Sequence, residues 1–130
     1  MSTDGPAPSL PPSLPPSLPP SPPPLTYDEF KKLQLVVGRV VAIDDHPNAT
    51  KLYILKVDLG NGDIRQLVAG LRPYYEKDKL LGKRIVVVAN LAPAVLRGVE
   101  SKGMLLAAQA GDRVIVLTTD EDLPPGSKIL

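Results

Sequence analysis

One histidine, His46, stands in the run Asp44-Asp45-His46-Pro47-Asn48, and an imidazole beside carboxylates is the arrangement of a general base. Its usual companions are missing. The chain has no cysteine and no serine in an activated setting, and one histidine with two adjacent acids makes a poor metal site. Pro47 and Asn48 are turn formers, so His46 reads as a turn residue. Gly60-Asn61-Gly62 is too short for a phosphate loop and reads as a hairpin. These residues argue against an enzyme and imply neither a metal nor another cofactor.

The chemistry that remains is that of cations. Residues 30–113 carry 14 Lys and Arg against 8 Asp and Glu, a balance of +6. Asp120, Glu121 and Asp122 bring the total back toward zero, and the whole chain has a net charge of +1. A basic middle with an acidic end suits a polyanion bound on one face, with an ordinary mixed-charge surface as the alternative. Arg39, Arg72, Arg97 and Lys102, joined by Arg65, Lys83 and Arg84, are the candidates for phosphate contact. Rings are scarce, with one Phe, four Tyr and no Trp, and only Tyr53 falls on a strand of the expected binding face. Binders of unstructured single strands rely on ring stacking. A face short of rings should instead read backbone shape and 2′-hydroxyls, which suits a folded RNA.

These residues need a scaffold, and the pattern supplies one. Thr26-Tyr27-Asp28-Glu29 is a capping box and predicts a short helix through Lys32. Leu35 to Ile43, Leu52 to Leu59 and Ile64 to Ala69 read as strands, the last two joined at Gly60-Asn61-Gly62. A helix is expected from Tyr74 to Leu81, between Pro73 and Gly82. Ile85 to Ala89 reads as a buried strand, followed by a loop through Pro93 and Gly98. A fifth strand over Met104 to Ala108 and a sixth over Arg113 to Leu117 complete the list. Strand, hairpin pair, helix, strand, strand is the order of a five-stranded OB-type Greek-key barrel, an all-β fold with short helices and here a C-terminal extension. The alternatives that the pattern leaves open are an SH3-like barrel and a small sandwich.

In front of this domain, 11 of the 16 prolines crowd between Pro6 and Pro24 in Ser-Leu-Pro-Pro repeats. Residues 1–25 are therefore expected to be a disordered tail sampling polyproline II, a stiff spacer or else a PxxP ligand for SH3-like grooves, and residues 26–130 the folded domain. No membrane-length apolar run and no signal-peptide pattern occur, which leads to the expectation of a cytoplasmic protein.

Several runs agree at once with one known family. They are Val37-Gly38-Arg39-Val40, His46-Pro47-Asn48-Ala49, Lys51-Leu52-Tyr53, Gly70-Leu71-Arg72, Val87-Val88-Ala89-Asn90-Leu91, and Leu96 to Ala107 with Ser101-Lys102-Gly103-Met104 inside it. In this order they resemble the tRNA-binding domain appended to methionyl-tRNA synthetases. Its stand-alone relatives look equally similar: the synthetase beta chain, structure-specific tRNA-binding proteins, a secretion chaperone and the endothelial-monocyte-activating polypeptides. The resemblance implies an OB barrel that binds tRNA without chemistry, commonly as a homodimer, with Lys51, Asn90, Ser101 and Met104 at tRNA-contacting positions. Val36 and Thr50 depart from the family pattern, which has Arg and Asp there, so a first-strand contact is in doubt.

Read as residues, Lys51 and Ser101 sit at strand entries and are expected to be exposed. Ser101 either donates to RNA or caps its turn, Met104 is either core or contact, and Asn90 either meets a nucleotide or satisfies the loop after it. Gly103 suggests an unusual backbone angle or a close approach. The competing functions are a tRNA-binding module, either stand-alone or as the beta chain of a methionyl-tRNA synthetase assisting aminoacylation, a peptide-binding chaperone on the same barrel, and a PxxP adaptor. The apolar run Val114-Ile115-Val116-Leu117, following a complete barrel, is expected to form a homodimer interface, or else to pair with its own barrel.

Overall fold

The computed structural model describes residues 23–130. The expectation for most of the proline-rich tail, residues 1–22, lies outside the described residues. The domain opens with the expected capping box. The Thr26 hydroxyl accepts from the Glu29 N–H at 3.2 Å, and the Glu29 carboxylate accepts from the Thr26 N–H at 2.9 Å. The helix it starts, α1 (Tyr27–Lys31), is short and buries no residue.

Five strands form the main sheet: β1 (Leu35–Asp45), β2 (Tyr53–Asp58), β3 (Ile64–Ala69), β4 (Arg84–Val88) and β7 (Met104–Leu105), in the order β3-β2-β1-β4-β7. β1 is the hinge of the barrel. Its first half pairs with β4 from Leu35 to Arg39, and its second half pairs with β2 through Asp45. The register slips at a bulge between Val40 and Ala42, which bends the strand and lets the sheet curl. Gly38, ahead of the bulge, leaves room for the core, because a Cβ there would lie 2.6 Å from Val57 Cγ1. The far edges approach each other where the Lys102 N–H donates to the Gln66 carbonyl at 2.8 Å, leaving a nearly closed barrel.

Alternation decides which side chains fill it. Tyr53, Leu55 and Val57 point inward from β2 while Ile54, Lys56 and Asp58 are only partly covered. Leu67, Ile85 and Val87 meet them in the core, and Leu80 from α2 (Lys77–Leu80) plugs one end. The sequence led to an expected helix from Tyr74 to Leu81; the observed α2 is half that span. Tyr74 and Tyr75 both donate their N–H to the Leu71 carbonyl, so the segment after Pro73 forms a turn before any helix starts. Neither tyrosine is helical.

Two small ribbons depart from the expected strand list. The presumed loop through Pro93 and Gly98 contains a hairpin, β5 (Ala94–Leu96) with β6 (Val99–Ser101). The expected fifth strand splits at Leu106 into β7 and β8 (Ala107–Ala110), and β8 pairs with β9 (Arg113–Val116). Val116 is buried in the core cluster and Val114 packs against it, while Ile115 and Leu117 face outward. The run is therefore not wholly surplus to the barrel: Val114 and Val116, on one side of it, pack inward, and only Ile115 and Leu117 remain available to an interface. The C-terminus pairs with its own first strand: Val37 exchanges backbone bonds with Gly126 and Ser127, at 2.7 and 2.9 Å, and Ile129 donates to Leu35.

Candidate nucleic-acid interface

His46 is buried, 3% exposed, and both ring nitrogens are engaged. Nδ1 accepts the Asn48 N–H at 3.0 Å, which places the ring proton on Nε2, and Nε2 donates to the Leu96 carbonyl at 2.9 Å. The side chain has no free nitrogen for proton transfer. It ties the turn before β2 to the β5–β6 hairpin, and Asn48 Nδ2 adds a donor to the Arg97 carbonyl at 3.4 Å. Across this tie, Lys51 on the turn and Arg97 at the hairpin tip line one cleft of about 330 Å³ with Ala49, Thr50 and Leu52. Among the described residues neither cation has a carboxylate partner.

Arg97 sits at φ +53°, followed by Gly98 at +90°, the pair of positive angles that a two-residue primed hairpin turn demands. A non-glycine residue there is uncommon and costs conformational energy. The turn holds it because Leu96 and Val99 close the ladder on either side. The sequence signal was present as Arg97-Gly98 between Val95-Leu96 and Val99, but Arg-Gly is a weaker hairpin pair than Asn-Gly and was read as loop.

The hairpin base is fixed as firmly as its tip. Ser101 is 2% exposed; its hydroxyl accepts from the Val68 N–H at 3.0 Å and donates to the Gly103 carbonyl at 2.9 Å. The expected exposure of Ser101 is thus corrected, and its alternative reading as a turn cap describes the geometry. Gly103 shows both expected features. Its φ is +140°, and a Cβ would sit 3.1 Å from Leu67 Cδ2 and from the Val88 carbonyl.

Beside the hairpin base, the outer side of β2 and β3 forms a second cleft, about 270 Å³, lined by Lys56, Ile64, Arg65, Gln66, Glu100 and Lys102. Lys56 Nζ donates to Gln66 Oε1 at 2.7 Å, and Gln66 Nε2 donates to the Glu100 carbonyl at 2.8 Å. Lys102 stands 3.9 Å from the Glu100 carboxylate and is well exposed. Neither Lys56 nor Gln66 is among the sequence-derived candidates. Their register pairing between the buried neighbours Leu55 and Leu67 places both on the outer side, and that could have found them.

The other sequence-derived candidates, Arg65 in that second cleft excepted, lie elsewhere. Met104 is 42% exposed on β7, opposite Val88, so it is not core. Asn90 Oδ1 accepts the Gln34 N–H at 2.8 Å and its Nδ2 donates to the Lys32 carbonyl, so it secures the chain between α1 and β1, not the loop after it. Arg72 and Lys77 share Asp45, at 3.6 and 3.1 Å. Arg39 pairs with Asp122 at 3.0 Å. Arg65 donates to the Ala89 carbonyl and to Asp63. Tyr53, expected on the binding face, points inward and donates its hydroxyl to the Tyr75 carbonyl at 2.8 Å, which leaves the outer side of β2 without a ring.

Clefts edged by cations and amides, with no aromatic platform, can hold phosphates and ribose hydroxyls. Among the described residues no cluster of His, Cys, Asp or Glu could hold a metal, and no helix is long and apolar enough to cross a membrane.

Comparisons with known proteins bear on the family and the fold. The family model of the tRNA binding domain matches residues 35–128. Methionine–tRNA ligase of Thermococcus kodakarensis is 53% identical over 105 residues, which is 81% of this chain and 14% of the ligase. Among solved structures, a MetRS-related protein from Pyrococcus horikoshii superposes with a TM-score of 0.76 at 36% identity, covering 82% of this chain and 97% of that one. The CsaA chaperone protein from Picrophilus torridus also gives 0.76, at 33% identity, with 82% and 99% covered.

Proposed function

The chain belongs to the tRNA binding domain family, and from that premise we propose that it binds tRNA without catalysing a reaction, as a partner of a methionyl-tRNA synthetase. The observation that carries this reading is the cleft between Lys51 and Arg97. Two cations with no acidic partner among the described residues are set there on a turn and a hairpin tip that His46 locks together. Lys102, Lys56 and Gln66 in the neighbouring cleft extend the surface along one strand face.

This chain spans 14% of the length of the synthetase it matches, and the service to aminoacylation proposed for it is supply. A tethered or associated tRNA binder raises the local concentration of tRNA at an enzyme's own site. The work belongs to residues 26–130 and is done in the cytoplasm. The test is affinity for tRNA, duplex RNA and oligo-dT measured side by side across salt. If about 5 phosphates are neutralised, log K falls with log salt at a slope of about −3.5 to −4.5. Equal affinity for all three nucleic acids would refute the structure-selective reading.

A homodimer is part of the proposal. Tyr27, Phe30 and Leu33 from the start of the domain and Ile129 and Leu130 from its end edge one apolar cleft, which no element of the described chain covers. A patch of this kind marks an interface, and a self-complementary one gives a two-fold dimer. The same cleft is where a chaperone-like reading, suggested by the resemblance to CsaA, would hold an apolar peptide.

A further inference from the structure

Two arginines on neighbouring strands converge on one carboxylate oxygen. Arg39 of β1 and Arg84 of β4 are register partners. Oδ1 of Asp122 lies 3.0 Å from Arg39 Nη2 and 3.2 Å from Arg84 Nη1. The guanidinium groups do not depend on Asp122 for their aim. Arg39 also donates to the Gly82 carbonyl at 3.3 Å. Arg84 donates from Nε to the Thr119 hydroxyl at 3.0 Å and from Nη2 to the Thr119 carbonyl at 3.3 Å. Asp122 itself is 71% exposed, so water reaches the far side of the carboxylate. One carboxylate shared by two guanidinium groups leaves positive charge in excess, and Lys79 and Lys83 line the cleft next to Arg84.

A single oxygen held by two preset guanidinium groups is the arrangement that arginines offer to a phosphate oxygen. We propose that Arg39 and Arg84 form a second binding spot for an RNA backbone phosphate, and that Asp122 occupies it as an internal stand-in until RNA displaces it. The proposal rests on the reading of the chain as a tRNA binder and deepens it. The spot is separate from the Lys51–Arg97 cleft. Arg39 lies six residues along β1 from Asp45, where the turn that carries Lys51 begins, roughly 20 Å at ~3.3 Å per residue. A short polyanion seated at one spot leaves the other closed, whereas a large folded RNA reaches both. Displacing Asp122 lowers affinity for any ligand that enters the arginine spot, and only a ligand long enough to gain both spots recovers the loss.

Anchoring the segment after β9 is the competing explanation for Asp122, but other bonds hold that segment. Thr119 binds Arg84 and the Glu121 carbonyl, and Gly126 and Ser127 pair with Val37. Removing the Asp122 charge therefore leaves the fold in place.

The experiment compares Asp122→Asn with Asp112→Asn in the full chain, titrated against tRNA over a salt series. Asp112 is exposed in the β8–β9 turn and has no ion pair among the described residues, so it controls for the change in net charge. Asp122→Asn should bind tRNA about three- to fivefold tighter at low salt, with a salt slope steeper by about one unit. Asp112→Asn should change neither by as much, and Arg84→Gln added to Asp122→Asn should remove the gain. If the parent binds tRNA and the two Asn variants behave alike, the stand-in is overturned. A parent that binds no tRNA overturns the functional reading, and the stand-in with it.

Discussion

Ser101 and Lys51 both sit at strand entries and are expected from sequence to be exposed, and they separate once burial is known. The Ser101 hydroxyl uses its donor and an acceptor inside the protein. Ser101→Ala would strand the Val68 N–H, so it should cost about 1–3 kcal/mol of stability, readable in urea melts. Lys51 and Arg97 stand in solvent. Lys51→Ala and Arg97→Ala should each leave stability within about 0.5 kcal/mol and make the tRNA salt slope shallower by roughly 0.7–0.9. Two such variants that bind with the parent's slope would remove this cleft from the interface. Met104 follows the same logic: at 42% exposure its truncation should cost stability little, so a loss of ~2–5 kcal/mol in Met104→Ala would mean that it is core after all.

At the scale of elements, the C-terminal segment is what holds the hinge strand from outside. Gly60 on the β2–β3 hairpin and Gly126 on the final turn meet backbone to backbone. A Cβ on Gly126 would lie 2.6 Å from the Leu59 carbonyl, and Gly126 is at φ +90°. Gly126→Ala should therefore push the segment off β1 and break the Val37 pairing with Gly126 and Ser127. Hydrogen exchange would show this as lost protection at Val37 and Gly126 with the β2–β3 ladder unchanged. Protection equal to the parent's would mean that the segment is not held by this contact. Pro124-Pro125-Gly126 has the composition of a turn, but nothing local in it says which strand the chain meets on its return.

Considered as a whole molecule, the proposed dimer should have twice the chain mass of 13.9 kDa by light scattering at micromolar concentration. Phe30→Asp or Ile129→Asp should halve that mass without unfolding the chain, because both lie at the rim of the uncovered cleft. Charged residues at Val114 or Val116 should unfold it instead, since these side chains pack in the barrel. A single-chain mass in the parent would refute the dimer. Removing residues 1–25 should leave tRNA affinity within tenfold, as that stretch has one charged side chain, Asp4, and no ring.

The barrel itself was legible in the sequence because its signals are local. Alternation along Tyr53 to Asp58, the apolar run Ile85 to Val88, the Gly60-Asn61-Gly62 turn and the Thr26–Glu29 box each act within a few residues. The excess of cations and the shortage of rings, which point to a folded RNA, are sums over composition and need no coordinates. Pairing over long separations was not legible. That His46 reaches Leu96, that Arg39 and Arg84 share Asp122, and that Ser101 turns its hydroxyl inward to Val68 all depend on chain closure across 33 residues or more. Sequence types name the groups able to hydrogen-bond. Only the closed barrel determines which of them are already satisfied and which remain available to a ligand.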